Sequence, residues 1–393
     1  MDEDIVNRVY AGPLARWFVT EAYRISDTAE LVAAAGQQLV DAGIPLYRLA
    51  YFQLTLHPEL AGKAYLWRRG KGVEVGTRPH GQDDSPEYRD NPLPFVFEQQ
   101  KTIRSRLEDF EPQAPILRQL KEEGATDYVA LPLIFSNGHV DALSVVSDKP
   151  GGFSMTDLDR MFLLQFAFTR IVETHSLRDT AVNLLDAYVG RAAGQRVLAG
   201  EIKRGDGQTI EAVIWYCDLR GFTRASDSLP RDTVIALLND YFDTMGKIVT
   251  DSGGEILKFM GDGMLAMFPV PDSGSRAEVA RRVAGAAASV ADAVTVLNRI
   301  RASADEPVVR FGLALHIGEV MFGNIGASGR LDFTVIGPAV NRAARLESLT
   351  KELGVPVLAS AEFNAACSAP LKSLGRHTLR GVPEPVEVFT LAN

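Results

Sequence analysis

The sequence predicts an α+β protein made of two globular blocks and a helical connector. Three observations carry this reading. At 393 residues the chain is too long for one ordinary core, and its length allows two or three domains. Short apolar runs of strand character alternate with longer segments of helical period, the pattern of sheets layered with helices. In the second block, Gly261-Asp262-Gly263 joins two apolar runs as a hairpin turn, so a mainly antiparallel sheet is expected there.

In the first block, residues 28–48 read as a helix with Leu31, Ala35, Leu39 and Val40 on one stripe, ended by Gly43-Ile44-Pro45. Strands follow at Leu49–Leu56 and Lys63–Trp67. The polar stretch Gly70–Asp90, rich in Gly, Asp and Pro, reads as a loop, either disordered or a lid. Ile116–Glu123 is a short helix, and Ser136-Asn137-Gly138 turns strand Tyr128–Phe135 into strand His139–Ser147. Thr156 is the expected N-cap of a helix striped by Leu158, Met161, Gln165, Phe168 and Val172 that continues to His175. The block is expected to span 20–175. The connector, 176–207, is helical but interrupted by Gly190, Gly194 and Gly200; it either pairs with its twin in a dimer or serves as a passive linker.

The second block, 208–393, opens with strand 210–217. A helix starts near Pro230, favoured in a first turn, and runs to about Asp251. The Glu255–Phe268 hairpin comes next, then an Ala- and Val-rich helix over 276–301. Strands near 308–322 and 332–336 precede a helix from Pro338 to about Leu349, and short strands lie near 356–359 and 385–391.

Composition narrows the function. Hydrophobic residues at 46% and charged residues at 23% are ordinary globular values. A net charge of −9 argues against a nucleic-acid or anionic-membrane surface, and means that any polyanion site must gather local cations or metal. Cys217 and Cys367 are the only cysteines and have no metal-ligand spacing, so no disulfide framework is expected. Uninterrupted apolar stretches such as 161–164 fall short of the ~20 residues that span a bilayer. The start, Met1-Asp2-Glu3-Asp4, is acidic where a secretory signal is basic. A cytosolic protein is expected.

Asp218 and Asp262 are the most informative residues. Asp218 closes the strand Ala212–Cys217, and Asp262 sits in the hairpin turn, each flanked by apolar residues among which an unpaired carboxylate is costly to desolvate. Two hard oxygen ligands at neighbouring strand ends, beside a glycine-containing turn with free N–H groups, suit Mg²⁺ carrying a nucleoside triphosphate. Ordinary turn aspartates are the competing reading.

The first block's order of helix, strands, long loop, hairpin and closing helix resembles a GAF-type sensory domain, and Gly152–Asp159 looks like the start of that family's last helix. The resemblance implies a small-molecule ligand; a dimerisation scaffold is the alternative. The histidines His57, His80, His139 and His175 are dispersed, a poor set for a haem or metal.

Residues 217–223 (Cys-Asp-Leu-Arg-Gly-Phe-Thr), 257–263 (Leu-Lys-Phe-Met-Gly-Asp-Gly) and 333–345 (Phe-Thr-Val-Ile-Gly-Pro-Ala-Val-Asn-Arg-Ala-Ala-Arg) resemble the class III nucleotidyl cyclases, over about 210–391. The resemblance implies a ferredoxin-like βαββαβ domain active as a head-to-tail homodimer with two sites at the interface. It implies that Asp218, Leu219 and Asp262 occupy the metal positions for two Mg²⁺ or Mn²⁺ ions per site. The amides of Leu219 through Thr223, hence Gly221, Phe222 and Thr223, would cradle the β- and γ-phosphates. Asn341 and Arg345 match the transition-state pair, four residues apart and so on one helix face, whereas Arg342 lies off that face. Arg310 and Arg380 match phosphate-end cations, the latter where many relatives have lysine.

Lys258 and Thr334 match the base-reading pair, and a Lys donor with a Thr acceptor complements adenine. Asp332, two residues upstream on the same strand face, is set aside because the spacing to Gly337 favours Thr334. Thr at this position is associated in the family with bicarbonate response. The resemblance thus implies an adenylate cyclase using ATP. A guanylate cyclase and an inactive nucleotide-binding regulator are the rivals.

Overall fold

The computed structural model describes residues 12–81, 86–109 and 111–392. The acidic start, Met1–Asp4, lies outside them, as does part of the expected loop before Asp90. The chain divides into two compact units, Met1–Leu184 and Leu185–Asn393.

The N-terminal unit holds helices α1 (Pro13–Thr20) and α2 (Thr28–Asp41), then strands β1 (Arg48–Leu54), β2 (Leu60–Arg68) and β3 (Gly72–Pro79). After α3 (Pro92–Gln99) come β4 (Ile103–Arg106), α4 (Pro115–Glu122), β5 (Asp127–Ile134) and β6 (Val140–Ser147), and α5 (Met155–Val189) closes it. The strands form an antiparallel sheet in the order β3-β2-β1-β6-β5-β4. Successive β1 side chains alternate between two layers. Leu49 and Tyr51 join a core with Leu31, Ala35 and Leu39 of α2 and Met161, Phe168 and Val172 of α5. On the opposite face a second core gathers Leu93 and Val96 of α3, Leu117 and Leu120 of α4, and Tyr128, Ala130, Ala142 and Val146 of the sheet.

Four expectations need correction here. Residues 72–79 are not a loop but an edge strand, paired along β2 from Gly72 with Arg68 to Pro79 with Leu60. Its side chains are nearly all exposed, so the buried-face alternation that marks a strand in sequence is missing. The first helix stops at Asp41, and Ala42 caps it ahead of the Gly43 turn. The N-cap of α5 is Ser154 rather than Thr156: Ser154 Oγ accepts from Asp157 N at 3.2 Å while Ser154 N donates to Asp157 Oδ2 at 3.0 Å. That helix also runs well past His175, because no Gly or Pro occurs before Gly190, whose φ of 90° breaks it.

In the C-terminal unit, α6 (Arg191–Leu198) precedes β7 (Gly207–Leu219), α7 (Phe222–Ser228), α8 (Arg231–Asp251), β8 (Glu255–Met260), β9 (Gly263–Val270) and α9 (Arg276–Ser303). Then come β10 (Phe311–Ala327), β11 (Arg330–Ile336), α10 (Pro338–Leu353), β12 (Val357–Ser360), α11 (Ala361–Ala366), β13 (Leu371–His377) and β14 (Val386–Leu391). From β7 to β10 the run is βααββαβ, which is βαββαβ with the short α7 added before α8. The sheet order is β13-β14-β12-β10-β7-β9-β8, with β11 hairpinned onto the far half of β10 and only β10–β12 parallel.

Leu237, Tyr241, Met245 and Val249 of α8 and Val279, Val283, Ala287 and Val290 of α9 seal one face of this sheet. By length and composition α9 is apolar enough to cross a membrane, but its apolar stripe is spent on this core. The sequence reading missed α7, α11 and β13; the first two are short, and β13 is a mostly exposed edge.

Candidate active site

Strand β7 ends between two neighbours. Asp218 is in register with Gly263 of β9 on one side and Gly312 of β10 on the other. Gly261, at φ 67°, makes the turn that carries Asp262 back beside it. Two main-chain bonds fix this end: Leu219 N–H donates to the Asp262 carbonyl at 3.2 Å, and Arg220 N–H to the Arg310 carbonyl at 2.7 Å. Asp218, Asp262 and Arg310 are thereby brought together at the ends of neighbouring central strands.

Burial, and next the Asp262 charge, push the Asp218 carboxyl up to about 6. A paired, partly buried set of carboxylates that resist ionising together is suited to a divalent cation. Among the described residues no three His, Cys, Asp or Glu side chains gather to hold a metal by themselves. An octahedral ion at Asp218 and Asp262 needs further oxygen ligands, as phosphate groups supply. The residues therefore fit Mg²⁺ or Mn²⁺ that brings further oxygen ligands with it.

A third carboxylate belongs to this group, and the sequence reading gave it no role. Glu347 of α10 is pushed up to about 7, chiefly by burial and then by the Asp218 charge, with Arg220 opposing. Room for it comes from Gly312: a methyl group there would overlap the Glu347 carboxylate and the Thr350 hydroxyl. The signal lay in two places far apart in sequence, a strand glycine and a helix acid, which only the packing of α10 on β10 connects.

The phosphate-cradle expectation is narrowed. Of the five amides from Leu219 to Thr223, those of Leu219 and Arg220 are already committed to Asp262 and Arg310. Gly221, left-handed at φ 79°, is the N-cap of α7, so Phe222 and Thr223 begin that helix with amides that have no intrahelical acceptor. Gly221, Phe222 and Thr223 remain available to an anion.

Lys258 donates through Nζ to Asp332 Oδ2 at 3.0 Å, so its partner in the structure is the residue the sequence reading set aside. β8 and β11 come together in the fold, which the linear spacing to Gly337 does not encode. Thr334, on the same strand face as Asp332, is 3% exposed, and its Oγ1 has no hydrogen-bond partner. A buried hydroxyl without a partner is uncommon and costly.

The outer face of α10 carries Asn341 and Arg345. With Ser348, Glu352 and Arg380 they line a polar cleft of about 470 Å³, which neither Asp218 nor Asp262 lines. Gly381, whose φ of 73° favours glycine, lies beside the Arg345 guanidinium. Arg342 points elsewhere, bonding Glu362 Oε1 at 2.6 Å. One helix thus presents Glu347 toward the aspartates and Asn341 and Arg345 into the cleft.

In the N-terminal unit the four histidines do not converge. His139 bonds Asp141 at 2.9 Å, His175 lies between Thr28 and the Ile25 carbonyl, and His80 bonds the His57 carbonyl.

Known proteins are similar to part of this chain. Residues 207–393 match the family model of the adenylate and guanylate cyclase catalytic domain. The chain is 30% identical over 228 residues to an adenylate cyclase of Anabaena cylindrica, covering 57% of this chain and 43% of that protein. It is 33% identical over 192 residues to adenylate cyclase 1 of Rhizobium meliloti, covering 47% of this chain and 28% of that one. It therefore spans less than half the length of these curated relatives. Among solved structures it is similar to the adenylyl cyclase CyaB from P. aeruginosa, with 28% identity, a TM-score of 0.44, and coverage of 48% of this chain and 96% of that one. It is also similar to the guanylyl cyclase Cya2, with 29% identity, a TM-score of 0.42, and coverage of 48% and 95%. Over residues 207–393, just under half of its length, the chain is similar to the adenylate and guanylate cyclase catalytic domain.

Proposed function

We propose that the protein is an adenylate cyclase, converting ATP to 3′,5′-cyclic AMP and pyrophosphate. The observation that carries this reading is the Lys258 ammonium at 3.0 Å from Asp332, on the strand face where Thr334 keeps an unpartnered, buried hydroxyl. Adenine presents an acceptor at N1 and an amine donor at N6. Lys258 satisfies the first, and the Thr334 hydroxyl accepts from the second. Guanine offers donors at N1 and N2, which face Lys258 unmatched at a cost of about 1–3 kcal/mol. Asp332 is an acceptor on the same face, so GTP is the competitor that an assay must include.

Asp218 and Asp262, with Leu219 between them, would hold two Mg²⁺ or Mn²⁺ ions, which supply charge neutralisation at the reacting and leaving oxygens. Gly221, Phe222 and Thr223 offer main-chain donors to the phosphates, and Arg310 and Arg380 offer positive charge. Asn341 orients the ribose, and Arg345 stabilises charge growing on the α-phosphate as the 3′-hydroxyl attacks.

The cleft of Asn341, Arg345 and Arg380 has neither aspartate in its lining. This supports a homodimer with two shared sites, one protomer giving Asp218, Asp262 and Arg310 and its partner Lys258, Thr334, Asn341, Arg345 and Arg380. The N-terminal unit is read as a GAF-like sensory or dimerisation domain that regulates turnover, since α5 starts within it and continues beyond Leu184. A cytosolic location belongs to the same reading and agrees with two free, buried cysteines.

The test is co-expression of Asp218→Ala with Arg345→Ala. Each variant alone is expected to be inactive, while heterodimers regain one intact site and make cyclic AMP well above either single variant. Heterodimers as inactive as their parents would rule out shared sites. In parallel, Lys258→Ala is expected to erode the preference for ATP over GTP by about tenfold; an unchanged ratio would remove Lys258 from base selection.

A further inference from the structure

Arg48 opens β1 with its side chain inside the N-terminal unit, 4% exposed. Among the described residues it makes no hydrogen bond or ion pair, and its Nε is fully enclosed without a partner. A buried cation without a counter-charge is strongly disfavoured, so such groups are normally paired. The neighbours make matters worse. Arg48 stands directly opposite Arg68 of β2, placing like charges on one sheet face. Glu123, the carboxylate within electrostatic reach, is already shared: Arg68 lies 3.7 Å from it, and Tyr47 Oη and Gln119 Nε2 donate to it at 3.3 and 2.9 Å.

What surrounds Arg48 reads as a binding layer. Its row across the sheet continues through Val146 to Tyr128. Tyr128 is itself buried, with Ser144 as its hydrogen-bonding neighbour. Leu117 and Leu120 of α4 and Leu93 and Val96 of α3 cover this face. An uncompensated guanidinium fork, two hydroxyls and an apolar roof complement one chemistry, an oxyanion on a small apolar body. Arg68 and Glu123 are each about a quarter exposed, so their bridge is weakly held and yields easily.

We propose that the N-terminal unit binds a small organic acid, carboxylate or phosphate ester, whose oxyanion pairs with Arg48 between β1 and the α3–α4 layer. The guanidinium fork matches either oxyanion in bidentate fashion. This site is independent of the cyclase reading, and its test uses no turnover.

The experiment measures melting of the full chain against acetate, benzoate and inorganic phosphate, each compared with sodium chloride of equal ionic strength. At least one oxyanion is expected to raise Tm saturably by about 3 °C or more. Benzoate acting alone assigns a carboxylate on an apolar body, and phosphate acting alone assigns a phosphate ester. Arg48→Met is expected to lose the response and, with the unpaired charge gone, to melt no lower than wild type without ligand. Arg48→Lys keeps the charge without the fork and is expected to weaken binding about tenfold, which decides the matter if the Met variant misfolds. No response to any of the three beyond chloride, or a response unchanged in both variants, overturns the proposal.

Discussion

Arg301 and Arg48 are equally sealed, 2% and 4% exposed, yet the molecule treats them in opposite ways. Arg301, in α9 of the C-terminal unit, is partnered at Nε and Nη1, while its Nη2 is buried without a partner. Its Nε donates to the Pro307 carbonyl at 2.6 Å, and Nη1 faces both Asp240 and, at 3.3 Å, Glu306. Arg48 in the N-terminal unit has no such partner. The same contrast recurs with hydroxyls: Thr350 donates to the Glu347 carbonyl at 2.6 Å, whereas the equally buried Thr334 donates to nothing. Where a buried polar group is structural, the fold supplies most of its partners, as it does for two of the three guanidinium nitrogens of Arg301. Where partners are missing, the group costs stability until something outside the chain satisfies it.

The largest effect that tests this division is at the aspartates. Asp262→Ala should lower cyclic AMP formation by more than about 10²-fold, some 2.7 kcal/mol in the barrier, while Tm stays level or rises because the Asp218 carboxyl loses a repelling neighbour. Retained turnover in a purified variant would break the assignment. A fall in Tm would place Asp262 among the structural groups instead.

Arg301→Met should do the reverse. It strands the Pro307 carbonyl and leaves Asp240 and Glu306 without their shared cation, so stability should fall by about 1–3 kcal/mol and Tm by several degrees. Turnover per folded molecule should be unchanged at a temperature where the variant remains folded. A thermally silent Arg301→Met would erase the distinction from Arg48.

The smallest effect is a pH dependence. Glu347 is raised to about 7 and Asp218 to about 6, so the folded chain holds these protons more tightly than the unfolded one. Their contribution to stability is full at acid pH, below the ordinary carboxylate range, and is lost as pH climbs through about 7. Glu347→Gln should leave Tm unchanged near pH 4 and raise it by a degree or two at pH 8, a modest gain because the group is partly solvated. An equal shift at both pH values would show that the gain is not electrostatic.

What the sequence made legible was local. The Glu255–Phe268 hairpin announces itself through Gly261-Asp262-Gly263, and the four-residue step from Asn341 to Arg345 places both on one face of α10, where they line one cleft. What stayed hidden depends on contacts between distant segments. Lys258 meets Asp332 because β8 and β11 converge, and Glu347 reaches the aspartates because α10 crosses β10 at a glycine. Edge strands β3 and β13 were lost for another reason. Exposed on most sides, they lack the apolar alternation that burial imposes. Arg48 was invisible for the simplest reason, since a lone arginine at a strand start reads as a surface charge.

Gly312 has a consequence for how this site tolerates change. Its backbone is not in the left-handed region, so any residue could adopt its conformation. The constraint is volume alone, and the first methyl group already exceeds it by meeting Glu347 and Thr350. In a saturation scan, damage at position 312 should therefore grow with side-chain size, alanine being milder than valine because the atoms it meets are the ends of the Glu347 and Thr350 side chains. A second change shortening Glu347 should relieve only part of the alanine variant's overlap, since the Thr350 hydroxyl is equally close, and full recovery should need both neighbours to give way.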